Sequence, residues 1–113
     1  MADNPNAPNK FWGKTPIYWA ACNGHTEIVK ILAPLTGNPN APDGYGETPI
    51  YRAAIMGHTE IVKFLAPLTN NTNAPNRDGK TPSSVTRNVE IRTFLESFKK
   101  HKYLPSKKQA KKL

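Results

Sequence analysis

Residues 15–47 read TPIYWAACNGHTEIVKILAPLTGNPNAPDGYGE, and residues 48–80 read TPIYRAAIMGHTEIVKFLAPLTNNTNAPNRDGK. The two align without gaps at a period of 33, with 23 of the 33 positions identical. A period of this length marks a stack of supersecondary units, each covering the apolar face of its neighbour. The preceding stretch NPNAPNKFWGK reads as the tail of an earlier repeat. A third copy begins at Thr81-Pro82, where EIRTFLESF matches EIVKILAPL. Glu90 lies 63 residues after Glu27 rather than 66, so this copy has lost three residues.

Each repeat reads as two short helices. Thr15-Pro16 and Thr48-Pro49 place threonine at an N-cap and proline at the first helical position. The first helix is expected to run to Gly24 or Gly57, where a left-handed residue ends it. The second covers HTEIVKIL or HTEIVKFL, with Ile28, Val29 and Leu32, or Ile61, Val62 and Leu65, as its apolar stripe. Pro34 and Pro67 end it, because proline removes a donor and clashes with the preceding turn. The stretch NPNAPDGYGE is then a turn-rich finger. Ala20-Ala21 and Ala53-Ala54 let neighbouring helices approach closely.

With TPIYWAA, TPIYRAA, two GHTEIVK segments and NAPDGYGETP in place, the chain resembles the ankyrin repeat proteins over about residues 4–98. The resemblance implies an all-α solenoid of stacked helix pairs with β-turn fingers along one edge. It assigns residues 1–14 to a partial repeat with the first finger, 15–47 and 48–80 to full repeats, 81–98 to a shortened C-terminal cap, and 99–113 to a basic tail. It further implies protein recognition through the fingers and the concave helix face, with no catalysis and no cofactor. The family's usual TPLH is TPIY here, so Tyr18 and Tyr51 stand where a histidine normally bonds locally. Thr36 and Thr69 replace the glycine that usually follows the second helix. The first finger, Asn9 to Lys14, is one residue longer than 43–47 and 76–80, which predicts an altered turn at its tip.

Composition narrows the function classes. The 113 residues carry a net charge of +8, but seven lysines fall within 99–112. Without them, nine basic residues face eight acidic ones, so the basic character belongs to the tail. That tail resembles a weak nuclear-localisation signal, or a polyanion-binding arm, or simply the solvated end of the last helix. It has no aromatic platform for single strands, so nucleic acid is the disfavoured partner. No apolar stretch is long enough to span a membrane, and the first residues are not a secretory leader, so an intracellular location is expected. The single cysteine, Cys22, excludes an internal disulfide or a multi-cysteine zinc site. His25 and His58, and Glu27 and Glu60, recur at helix starts, which argues for structural roles. No phosphate-binding loop or metal-ligand spacing is present.

The repeats also provide an internal comparison. The ten differences are Trp19/Arg52, Cys22/Ile55, Asn23/Met56, Ile31/Phe64, Gly37/Asn70, Pro39/Thr72, Asp43/Asn76, Gly44/Arg77, Tyr45/Asp78 and Glu47/Lys80. Most fall on the finger or at the end of the first helix, and the resemblance makes those the partner-facing positions. A position that accepts Trp19 or Arg52 must reach solvent. Partner-binding residues are therefore expected among Lys10, Phe11, Trp12, Lys14, Trp19, Cys22, Asn23, Tyr45, Glu47, Arg52, Ile55, Met56, Arg77 and Asp78. Trp, Tyr, Met and Arg are the types enriched at interface cores and hot spots. The competing reading is that Trp19 and Met56 pack between helices while Phe11 and Trp12 fold over the N-terminal edge. Lys14, Glu47 and Lys80 share one repeat position and read as rim charges. The expected partner is another folded protein. A second copy meeting the uncovered N-terminal face is the alternative. The close similarity of the two full repeats fits consensus-style engineering or a recent duplication, and an engineered binder or scaffold is the favoured form.

At the far end, Arg92 and Glu96 occupy the positions of Val29/Val62 and Ala33/Ala66. A face that would receive a further repeat has become charged, as a terminal repeat requires. Ile91, Phe94, Leu95 and Phe98 remain to pack back on the second repeat.

Overall fold

The computed structural model describes residues 13–98. Within them the regular structure is helical, with no strand. Helix α1 is Pro16–Cys22, α2 Thr26–Leu32, α3 Pro49–Met56, α4 Thr59–Leu65 and α5 Pro82–Val85. Residues 89–98 form α6. The threonine caps stand where the sequence puts them. Thr15, Thr48 and Thr81 each accept a bond from the backbone N–H three residues on, and proline follows each. Thr81 and Ser84 cap each other reciprocally.

Helix α1 packs on α3 and α3 on α5, with α2 beside α1 and α4 beside α3. Ala20, Ala21, Ala53 and Ala54 are buried where these helices meet, together with Ile17 and Ile50. The second-helix stripes join this core through Val29, Ile61, Val62 and Leu65, and α6 contributes Ile91 and Leu95. The two stripes are not buried alike, since Ile61 is buried and its counterpart Ile28 is exposed.

Both second helices stop at leucine, and Ala33–Leu35 and Ala66–Leu68 continue as single 3₁₀ turns with the proline inside them. No left-handed glycine follows. Thr36 and Thr69 are extended instead. The Thr36 hydroxyl donates to the Leu32 carbonyl at 2.7 Å, so a side chain satisfies a helix-end acceptor that a glycine turn would otherwise serve. Thr69 turns its hydroxyl onto Asn71 Oδ1.

The histidines differ from the helix-start reading. His25 and His58 occupy N-cap positions without capping through their side chains. The His58 ring instead reaches the Cys22 carbonyl of the preceding repeat, with Nε2 at 3.2 Å. It fills the space beside Gly24, where a Cβ would lie 2.8 Å from the ring. Gly24 therefore serves twice, through its φ of +75° and by making room for the next repeat's histidine. In the third copy Asn88 replaces histidine and does cap, accepting from Ile91 N at 3.0 Å.

At the C-terminal end Arg92 is half-buried and Glu96 exposed, while Val29, Val62, Ala33 and Ala66 are buried. The Phe94 and Phe98 rings lie 5.6 Å apart beside this end.

Candidate functional site

Each finger is built around one acceptor. Asp43 Oδ1 takes the Tyr45 and Glu47 amides at 2.8 and 3.0 Å, and the Asp43 amide donates to the Glu47 carbonyl at 2.9 Å. Asn76 Oδ1 does the same for Asp78 and Lys80 in the next finger. A tip closed this way needs a residue at positive φ, supplied by Gly46 at +80°. A Cβ on Gly46 would lie 3.0 Å from the Arg77 amide nitrogen, so the fingers touch through their backbones. They are also bonded, since Arg77 N–H donates to the Tyr45 carbonyl at 3.0 Å.

The same acceptors hold the tyrosines. Tyr18 donates its hydroxyl to Asp43 Oδ2 at 2.9 Å, and Asn76 Nδ2 donates to the Tyr51 hydroxyl at 3.1 Å. Each bond spans 25 residues, tying a first helix to the finger at the end of its own repeat. Lys14 sits over this pair. Its Nζ is 4.0 Å from Asp43 Oδ2 and lies 5.7 Å from the Tyr18 ring centre and 5.6 Å from that of Tyr45. Its side chain is 12% exposed, so Lys14 is an enclosed cation and not a rim charge. Lys80, at the same repeat position, is exposed.

Together these groups wall a groove of about 460 Å³, lined by Lys14, Tyr18, Trp19, Cys22, Tyr45, Glu47 and Arg52. Trp19 stands on α1 with its ring roughly perpendicular to that of Tyr18, the centres 6.1 Å apart, and it is 38% exposed. Arg52 reaches from α3 to Glu47, Nη1 to Oε1 at 3.4 Å. Burial works against the Arg52 charge, but the side chains of Cys22, Tyr18 and Glu47 outweigh it and the pKa rises. The wall thus carries aromatic faces, a thiol and two paired cation–carboxylate sets.

Six of the residues expected from sequence come together here: Lys14, Trp19, Cys22, Tyr45, Glu47 and Arg52. Asn23, at the end of α1, bonds the Trp19 carbonyl at 2.9 Å and faces solvent. Ile55 and Met56 are exposed at the end of α3, outside the groove lining. Arg77 and Asp78 are exposed on the next finger. Lys10, Phe11 and Trp12, the predicted turn alteration at Asn9 to Trp12, and the basic tail lie outside the described residues. Sequence comparison missed Tyr18 as a wall residue and Asp43 as the buried group holding it. Their signal was a tyrosine kept in both repeats, followed 25 residues later by an acid or its amide.

A family model described as ankyrin repeats in three copies matches residues 2–82. The chain belongs to the ankyrin-repeat family. A search of curated proteins found no match. Proteins of this family generally mediate protein–protein interaction and are typically not enzymes. Among the described residues no group of three or more His, Cys, Asp or Glu side chains is placed to hold a metal. No helix among them is long and apolar enough to cross a membrane.

The tyrosines of this ankyrin chain give it an alkaline limit. Burial pushes the Tyr18 hydroxyl far above its ordinary 10.0, and the Asp43 carboxylate adds to the shift. Tyr51 moves the same way, through burial and the Glu47 carboxylate. The folded state keeps these protons at a pH where the unfolded chain releases them. Their contribution is therefore intact below about pH 10 and lost as pH rises beyond it. Melting temperature is expected to fall above that pH, and less steeply in Tyr18→Phe. Phenolate absorbance should show Tyr18 ionising only with unfolding. Ionisation of all four tyrosines in the folded chain at an ordinary pKa would contradict this.

Proposed function

We propose that the chain recognises another folded protein through the groove between its fingers and first helices, without catalysis. One observation carries the reading: Trp19 and Tyr45 are 38% and 48% exposed on a wall whose backbone is held by bonded fingers. Large aromatic side chains that gain little from the core, on a surface that is already ordered, are the usual anchors of an interface. Glu47 and Arg52 flank them as an ion pair and would set orientation more than affinity. Asn23, Ile55, Met56, Arg77 and Asp78 would extend the contact along the helix ends and the next finger. The two repeats agree at 23 of 33 positions, and six of their ten differences fall on the finger or at the end of the first helix. That pattern supports an engineered binder or scaffold as the form this recognition takes.

The test is affinity capture with the intact chain beside a folded Trp19→Ala/Tyr45→Ala variant and a Leu35→Glu control, Leu35 being exposed in the 3₁₀ turn after α2 and outside the groove lining. A protein retained by the intact chain and the control should bind the double variant more weakly by about 2 kcal/mol or more. Equal retention by all three would remove the groove as the recognition surface.

A further inference from the structure

The floor of the groove already holds one cation, and its chemistry is repeated at the mouth. Lys14 Nζ lies 5.7 Å from the Tyr18 ring centre and 5.6 Å from that of Tyr45, with Asp43 Oδ2 at 4.0 Å. Aromatic faces attract a cation through the ring quadrupole, more strongly as water is excluded, and the carboxylate balances its charge. This inner site is closed. The Lys14 side chain is 12% exposed and that of Asp43 0%, and Asp43 also takes the Tyr18 hydroxyl and two finger amides.

At the mouth stand two more exposed aromatic surfaces, on Trp19 and Tyr45, and a second carboxylate, Glu47. The Glu47 amide is fixed on Asp43 Oδ1, so the finger sets where its side chain starts. Glu47 Oε1 takes Arg52 Nη1 at 3.4 Å, long for a charge-assisted bond, and Oε2 bonds nothing among the described residues. A carboxylate has acceptor sites for two guanidinium groups, one at each oxygen. The repeat fold does not require this set. One repeat on, the positions of Trp19, Tyr45 and Glu47 hold Arg52, Asp78 and Lys80.

We propose that the groove mouth takes an arginine side chain of the partner protein, its guanidinium plane against Trp19 and Tyr45 and an N–H donated to Glu47 Oε2. The inference rests on the groove being the recognition surface and names what enters it. Arginine fits better than lysine, because a flat and weakly hydrated guanidinium stacks on a ring while its edge still reaches a carboxylate. An acidic side chain would meet Glu47 and the ring faces, whereas Lys14 is enclosed against Asp43 and Arg52 is paired with Glu47.

The test titrates acetyl-Gly-Arg-Gly-amide, and its citrulline, lysine and glutamate counterparts, into the full chain. The assigned Trp19 indole and Glu47 amide NMR signals report binding. Citrulline keeps the shape of arginine and removes its charge. The arginine peptide should shift both signals saturably, with an affinity about fivefold or more above the other three. In a folded Glu47→Gln chain that affinity should fall to the level of the citrulline peptide. The citrulline comparison needs no variant, so it stands should Glu47→Gln fail to fold. No saturable shift, or equal binding by any of the other three peptides, overturns the proposal. A captured protein lost by Trp19→Ala/Tyr45→Ala but fully retained by a folded Glu47→Gln chain also overturns it, and leaves recognition by the groove standing.

Discussion

Ile61→Ala is expected to lower the unfolding free energy by about 3 kcal/mol, and Ile28→Ala by less than about 1 kcal/mol. The two isoleucines share their local sequence, TEIVK, and their helical position. Helix propensity and capping therefore change equally in the two variants. What differs is the neighbour. Ile61 is 0% exposed inside the core, and truncating it leaves a cavity as well as removing methyl groups from an apolar environment. Ile28 is 47% exposed and already meets water on one side, so truncation empties no enclosed space. Urea denaturation followed by circular dichroism measures both. Equal losses would mean that the outer face of α2 is covered in solution.

Asn40→Ala should cost about 2 kcal/mol or more, a large amount for a substitution in a turn. Asn40 is 0% exposed, and its Oδ1 accepts from Ile50 N at 2.9 Å. That amide belongs to the first turn of α3, where no intrahelical acceptor exists. The Asn40 Nδ2 donates to the Asn71 carbonyl at 3.2 Å, so one side chain joins two successive fingers and a helix start. Alanine would leave the Ile50 amide unpaired in a buried place. Asn73→Ala removes the equivalent bond to Ser83 N at 2.9 Å, but Asn73 is only half-buried, and water can replace part of what is lost. Its cost should be about half that of Asn40→Ala on the same desolvation argument. A loss for Asn40→Ala no greater than for Asn73→Ala would contradict the account.

The helix pairs, their threonine caps and the left-handed Gly24 and Gly57 were legible because each depends on residues within one repeat. The charged end at Arg92 and Glu96 was legible for a related reason: equivalent positions can be compared directly. What escaped reading were contacts between non-equivalent positions of different repeats. The bond from Tyr18 to Asp43 joins a constant residue to a variable one. Variation at Asp43/Asn76 looked like freedom to face a partner. Asp43 is instead buried, and both residues suit a tyrosine because carboxylate and amide can each bond a hydroxyl. Lys14 was misplaced for the same reason. Its enclosure comes from Asp43 and the Tyr45 ring, both distant in sequence, which close over it with the ring of Tyr18 four residues on. The end of α2 at Leu32 was foreseen from Pro34, but the hydroxyl bond of Thr36 depends on a rotamer that composition does not reveal.

The bond from Arg77 to the Tyr45 carbonyl bears on binding kinetics. Loops that must find their bound shape after encounter slow association and lose affinity to ordering. Here each finger tip is closed by its own Asp43 or Asn76, and neighbouring backbones leave no room for a side chain at Gly46. The fingers form one strip whose freedom has been given up during folding. On the proposed reading a partner would dock onto it as onto a rigid body, at the rate that orientation and charge allow. Changes at Trp19, Tyr45 or Arg52 are then expected to alter how long that partner stays far more than how fast it arrives.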